Sequence, residues 1–95
     1  MTAPPDPALV AELASALAAV RARIAAACVS CGRDPASVEL VAVGKTQPVE
    51  AVRAAYAAGQ RVFGENYVQE LVAKAAACAD LEGLRWHFIG HLQRN

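Results

Sequence analysis

Val38-Glu39-Leu40-Val41-Ala42-Val43-Gly44-Lys45 is the stretch on which the fold turns. From Val38 to Val43 the residues are mostly apolar and rich in β-branched types. They lack the polar alternation of a half-solvated strand, so they read as a buried strand. Gly44-Lys45-Thr46-Gln47-Pro48 follows as a loop, and Val49 to Ala58 returns to helical composition before Gly59. Arg61 to Gly64 (RVFG) reads as a second strand and Leu84 to Ile89 (LRWHFI) as a third. Between them Tyr67 to Ala77 is helical, with Val68, Leu71, Val72 and Ala75 on one face.

Upstream, Asp6-Pro7 is a helix start, an N-cap followed by proline at the first helical position. Leu9, Val10, Leu13, Leu17, Val20 and Ile24 recur as one apolar stripe. Gly32 suits a left-handed cap, and Asp34-Pro35 forbids continuation. The order is a leading helix and then β-α-β-α-β, with strands spaced by roughly 23 residues, as βαβ units require. Right-handed crossovers make such strands parallel and bring their C-terminal ends to one edge, where α/β proteins place ligand chemistry. A complete barrel needs about 250 residues, and Asn95 falls where a further helix should begin. The expectation is therefore an N-terminal fragment of one domain. Residues 1–33 supply the leading helix, and 38–95 the first three strands and two intervening helices.

Composition narrows the partners. The chain is 56% hydrophobic with a formal net charge of zero. Much of the apolar share is alanine, which favours helix but buries little area. Basic residues are scattered, which argues against nucleic acid and anionic membrane. The opening MTAPPDPA lacks the basic start of a secretory signal, and the longest apolar run, Ile24 to Val29, is too short to span a bilayer. Three cysteines without a signal fit a reducing compartment, so the cytoplasm is expected.

The strand ends carry the polar residues: Lys45 after the first, Glu65 and Asn66 after the second, His91 after the third. A lysine beyond an apolar strand is a candidate amine for attack on an aldehyde. Position alone favours a rim lysine with its ammonium in water. A P-loop would need glycine where Glu39 stands and a glycine-rich loop where residues 39 to 43 are strand-like. Cys28 and Cys31, with His87 and His91, imitate a zinc set, but the pairs lie too far apart for a finger. The CxxC lies near a helix C-terminus, where the dipole opposes a thiolate, so small apolar residues packing a helix end is the better reading. Cys78 is read the same way. Asn66 could bond a ring substituent or cap the next helix, and Glu65 could be an acid/base group or part of that helix start. Strand parity sends Val41 and Val43 to one face and Leu40 and Ala42 to the helices. It likewise packs Trp86 and Phe88 on the helices and leaves His87 on the opposite face, as a satisfied interior histidine or a ligand contact.

Three blocks together resemble the pyridoxal phosphate homeostasis protein family: Leu40 to Pro48 (LVAVGKTQP), Gly59 to Glu70 (GQRVFGENYVQE) and Trp86 to Gln93 (WHFIGHLQ). They occur in order and cover most of residues 38 to 95. The resemblance implies the N-terminal portion of a TIM (β/α)8 barrel like that of alanine racemase. It implies pyridoxal 5′-phosphate held as a Schiff base on the lysine matching Lys45, and Asn66 and His87 are the further candidate cofactor contacts. Gly44 stands where the family usually has serine. The implied role is a cytoplasmic, monomeric carrier or regulator of vitamin B6 and amino-acid or keto-acid balance, without catalytic turnover. The family's phosphate-binding loops lie beyond Asn95. Two other readings stand beside it: a racemase-like enzyme of the same barrel class, for which Tyr56 and Tyr67 look badly placed, and a nonfunctional truncated product.

Overall fold

The computed structural model describes residues 3–44 and 47–90. Helix α1 spans Pro7–Cys31, a short 3-10 turn Pro35–Ser37, strand β1 Ala42–Val43, helix α2 Val49–Ala57, strand β2 Val62–Glu65, helix α3 Val68–Ala77 and strand β3 Arg85–Phe88. The strands form one parallel sheet in the order β1-β2-β3. The fold is α/β, as the spacing requires.

Both ends of α1 form as their residues dictate. Asp6 Oδ1 accepts the Ala8 amide at 3.1 Å, and Gly32 takes the left-handed conformation at φ 74°. The Arg33 amide then reaches back to the Cys28 carbonyl at 2.8 Å, the long bond of a glycine-ended helix. By length and composition α1 could cross a bilayer, with a mean hydropathy of 1.5 over its most apolar window. Alanine contributes much of that value, and the helix packs against α2: Leu13 lies against the core, and Arg21 donates to Gln60.

The register sets Ala42 beside Phe63 and Phe63 beside Trp86. These three face the helices, where Phe63 joins Val52, Ala55 and Cys78 in the core, and the Phe63 and Trp86 rings meet at 5.7 Å. The next row, Val43, Gly64 and His87, lies on the opposite face. Parity therefore assigns the faces as expected for Ala42, Trp86 and His87.

All three strands differ in extent from the sequence expectation. The first strand is confined to Ala42–Val43 because the Leu40 carbonyl accepts from the Gln60 side chain at 2.7 Å, not from a backbone amide. The second strand continues through Glu65, one residue beyond Gly64. The third is shorter at both ends than Leu84 to Ile89. The face of α3 also differs: Val68 and Val72 are exposed, whereas Lys74 is buried. Leu71, Ala75 and Cys78, spaced at four and three residues, complete the inward side.

Candidate functional site

The C-terminal edge of the sheet is tightly built. β1 ends at Val43, and Gly44 continues its pairing by donating its amide to the Gly64 carbonyl at 2.9 Å. The Gly44 carbonyl accepts from two donors, the Lys74 ammonium at 2.6 Å and the Gln47 amide at 3.0 Å. Lys45 and Thr46, the residues between Gly44 and Gln47 in sequence, lie outside the described residues, as does His91.

Glu65 is the last residue of β2 and is wholly buried. Its Oε2 accepts from Lys74 Nζ at 2.9 Å, while Oε1 has no partner. Glu65 therefore neither starts α3 nor stands free as an acid/base group: same-face parity with Phe63 turns it under the helix onto Lys74. A Cβ at Gly44 would lie 2.6 Å from Glu65 Oε2. The carboxylate thus occupies the space that any side chain at position 44 would claim.

Asn66 follows directly. Capping of α3 competed with a ligand role at this position, and the cap does not form: the N-cap residue is Tyr67, with no side-chain bond to the helix. Tyr67 thereby sits just outside the helix, not in it as the composition suggested. Asn66 Oδ1 is buried and unpartnered. An unpaired buried acceptor costs about 1–3 kcal/mol, and with Glu65 Oε1 it is one of two side-chain oxygens at this edge that lack a partner among the described residues. The main chain of Asn66 is closely approached as well, since a Cβ at Gly90 would lie 2.1 Å from the Asn66 carbonyl oxygen. Only glycine lets the segment after β3 pass this close to the segment after β2.

His87 sits on β3 beside Gly64, one residue before the strand's end. Its imidazole is 45% exposed on the face without helices, and Nε2 lies 3.7 Å from Glu39 Oε1. Glu39 also pairs with Arg85. The edge therefore joins Gly44, Glu65, Asn66, Lys74 and Gly90, while His87 stands with Glu39 and Arg85 on the open face. Gly64 shares that open face, and Val41 and Ile89 close over it, at 3.0 and 3.3 Å from where a Cβ would be.

Lys74 and Gln60 escaped the sequence reading. A helical lysine four residues after Glu70 looks like half of a surface pair, and Glu70 does approach it at 3.9 Å. The missed signal was positional: Lys74 falls on the Leu71, Ala75 and Cys78 side of the helix, opposite a glutamate that ends a strand. The cysteines behave as packing residues. All three are free, with Cys28 and Cys78 buried and Cys31 exposed. Burial pushes the Cys78 thiol up from its ordinary pKa. Among the described residues no cluster could hold a metal ion.

A parallel α/β sheet with a glycine-lined, polar C-terminal edge places the chain in the class of βα-repeat proteins. No family model matches it. It is 57% identical over 83 residues to the pyridoxal phosphate homeostasis protein of Pseudomonas aeruginosa, covering 87% of this chain and 36% of that protein. Against the protein of the same name from Escherichia coli it is 52% identical over 86 residues, covering 88% and 37%. Solved structures of PipY from Synechococcus elongatus, without PLP and with PLP bound, are 48% identical to it. Their TM-scores are 0.71 and 0.69, covering 87% and 85% of this chain and 34% of each structure. The chain belongs to the pyridoxal phosphate homeostasis protein family and spans about a third of the length of these relatives.

Proposed function

We propose that this chain forms the first part of a (β/α)8 barrel that holds pyridoxal 5′-phosphate at the C-terminal edge of its strands. Lys45 carries the cofactor as a Schiff base, Asn66 contacts the ring, and His87 faces the barrel interior as a further contact. The protein acts in the cytoplasm as a monomeric carrier in vitamin B6 and amino-acid or keto-acid homeostasis. It uses neither nucleic acid nor membrane and has no turnover of its own.

The observation that carries this reading is the buried, unpartnered Oδ1 of Asn66. It lies at the strand end adjacent to the one that leads into Lys45. A carboxamide turned about its last bond offers either an acceptor or two donors, which suits a hydroxylated heteroaromatic ring. When bound, the cofactor would supply an aldehyde for the lysine and an electron sink. Lys74, the other lysine of the chain, donates to Glu65 and Gly44 and is not free to compete for the aldehyde. The PLP bound to PipY and the names of the relatives support the same ligand class.

The test is absorbance and borohydride trapping with added pyridoxal phosphate, comparing the protein with Lys45→Ala. A trapped adduct on Lys45, lost in the variant, is expected. An adduct on Lys74, or none, overturns the reading.

A further inference from the structure

We propose that Lys74 is a positioning residue: with Glu65 behind it, it locks the Gly44 carbonyl and so sets the direction in which the chain enters Lys45. The inference rests on the reading of Lys45 as the cofactor lysine.

Lys74 is 7% exposed and Glu65 not at all. Taking both charges out of water is costly, and an apolar pair of similar size would often be no less stable. The pair therefore needs a reason beyond stability, and its third member supplies one. Lys74 Nζ binds the Gly44 carbonyl at 2.6 Å, while the Gln47 amide binds the same oxygen at 3.0 Å. Both acceptor positions of that carbonyl are thereby filled.

A peptide unit is planar, so fixing the Gly44 carbonyl fixes the plane through which the chain continues. Glycine is the residue least able to restrain itself there, having no Cβ. The Gly44 amide is tied to Gly64 and its carbonyl to Lys74 and Gln47. Restraint absent from the residue itself is thus supplied from α3. Glu65 holds the ammonium in place, and its Oε2 lies against Gly44 where a side chain would be.

The test compares the protein with Lys74→Met and with the neutral pair Lys74→Met/Glu65→Gln. The double variant guards against a fold lost merely to one unpaired buried charge. Three readouts are taken: thermal melting, amide exchange at Gln47 against the amides of β2, and the rate of borohydride-trapped labelling at Lys45. The double variant should melt close to the parent. It should lose Gln47 protection selectively and label Lys45 about tenfold or more slowly, since small misplacements of a reacting group cost that much. Unchanged Gln47 exchange and labelling in the folded double variant would falsify the assignment. A uniform loss of protection through β2 also overturns it, by showing a structural role only. Absence of label on Lys45 in the parent overturns the cofactor reading, and the purpose assigned to Lys74 goes with it.

Discussion

The Gln60 side-chain amide bonds the Leu40 carbonyl at 2.7 Å and the Val62 carbonyl at 2.8 Å, so one carboxamide joins β1 to β2 below the point where their backbones pair. Gln60 is buried, and its Oε1 accepts from Arg21 of α1. One side chain thereby links the leading helix, the approach to β1 and β2. Gln60→Ala should destabilise the protein by about 2–3 kcal/mol, because it leaves carbonyls of the sheet without a donor. Arg21→Met should cost under about 1 kcal/mol, since the arginine is exposed. Urea melts of the two variants check the ordering, and equal losses would contradict it.

Gly44 and Glu65 should be energetically coupled. A Cβ at position 44 meets Glu65 Oε2 at 2.6 Å, and that oxygen is held by Lys74 in a site without solvent. Gly44→Ala should therefore cost about 1–3 kcal/mol through overpacking. In a Glu65→Ala/Lys74→Met background the obstacle is gone, and the same substitution should become nearly neutral. A double-mutant cycle by denaturant melting measures the difference. An identical cost in both backgrounds would rule out the contact as its cause.

Arg53 and Asp80 tie α2 to the turn after α3, with guanidinium to carboxylate distances of 2.8 and 2.6 Å. The hydrogen bond from Arg53 lowers the Asp80 pKa from 3.8 to about 2. A carboxylate held lower in the folded state contributes stability that is complete above its unfolded value. That contribution is lost as pH falls from about 4 towards about 2. Melting temperature should decline through this window in the parent. In Asp80→Asn the decline should be shallower. Added salt should shrink the difference, because Asp80 is 56% exposed.

The cysteines should separate by burial. Cys31 is exposed on the last turn of α1, while Cys28 and Cys78 are buried and Cys78 is further shielded by its raised thiol pKa. Iodoacetamide under native conditions should modify Cys31 alone, and all three after unfolding, read by mass spectrometry. Native labelling of Cys78 at a rate matching Cys31 would contradict the packing of α3 on Phe63.

The order of elements, the parallel sheet and both ends of α1 were legible because local chemistry specifies them. Asp6-Pro7, Gly32 and the apolar runs act through neighbouring residues only. Strand parity likewise sorted Trp86 from His87, since alternation is a property of any strand. Three-dimensional substitutions were not legible. Nothing local announces that a glutamine side chain will replace backbone pairing at Leu40. Nothing local marks Lys74, twenty-nine positions after Lys45, as a donor to the carbonyl just before it. Glu65 misled for the same reason: its neighbours suggest a helix start, and only the partner across α3 explains its burial.

Asn66 separates ligand binding from folding. Its Oδ1 is buried without a partner, so the described structure gains no hydrogen bond from that atom and bears the cost of desolvating it. Asn66→Ala should therefore leave the unliganded protein within about 0.5 kcal/mol of the parent, or slightly more stable. If the orphaned group meets the cofactor, the same change should weaken pyridoxal phosphate binding about tenfold, the loss of one well-placed hydrogen bond. Asn66→Asp should weaken it further, because a carboxylate has no donor to offer in either orientation. Spectroscopic titration with the cofactor, paired with melts in its absence, reads both effects. A stability loss of several kcal/mol with unaltered binding would show that Asn66 serves the fold and not the ligand.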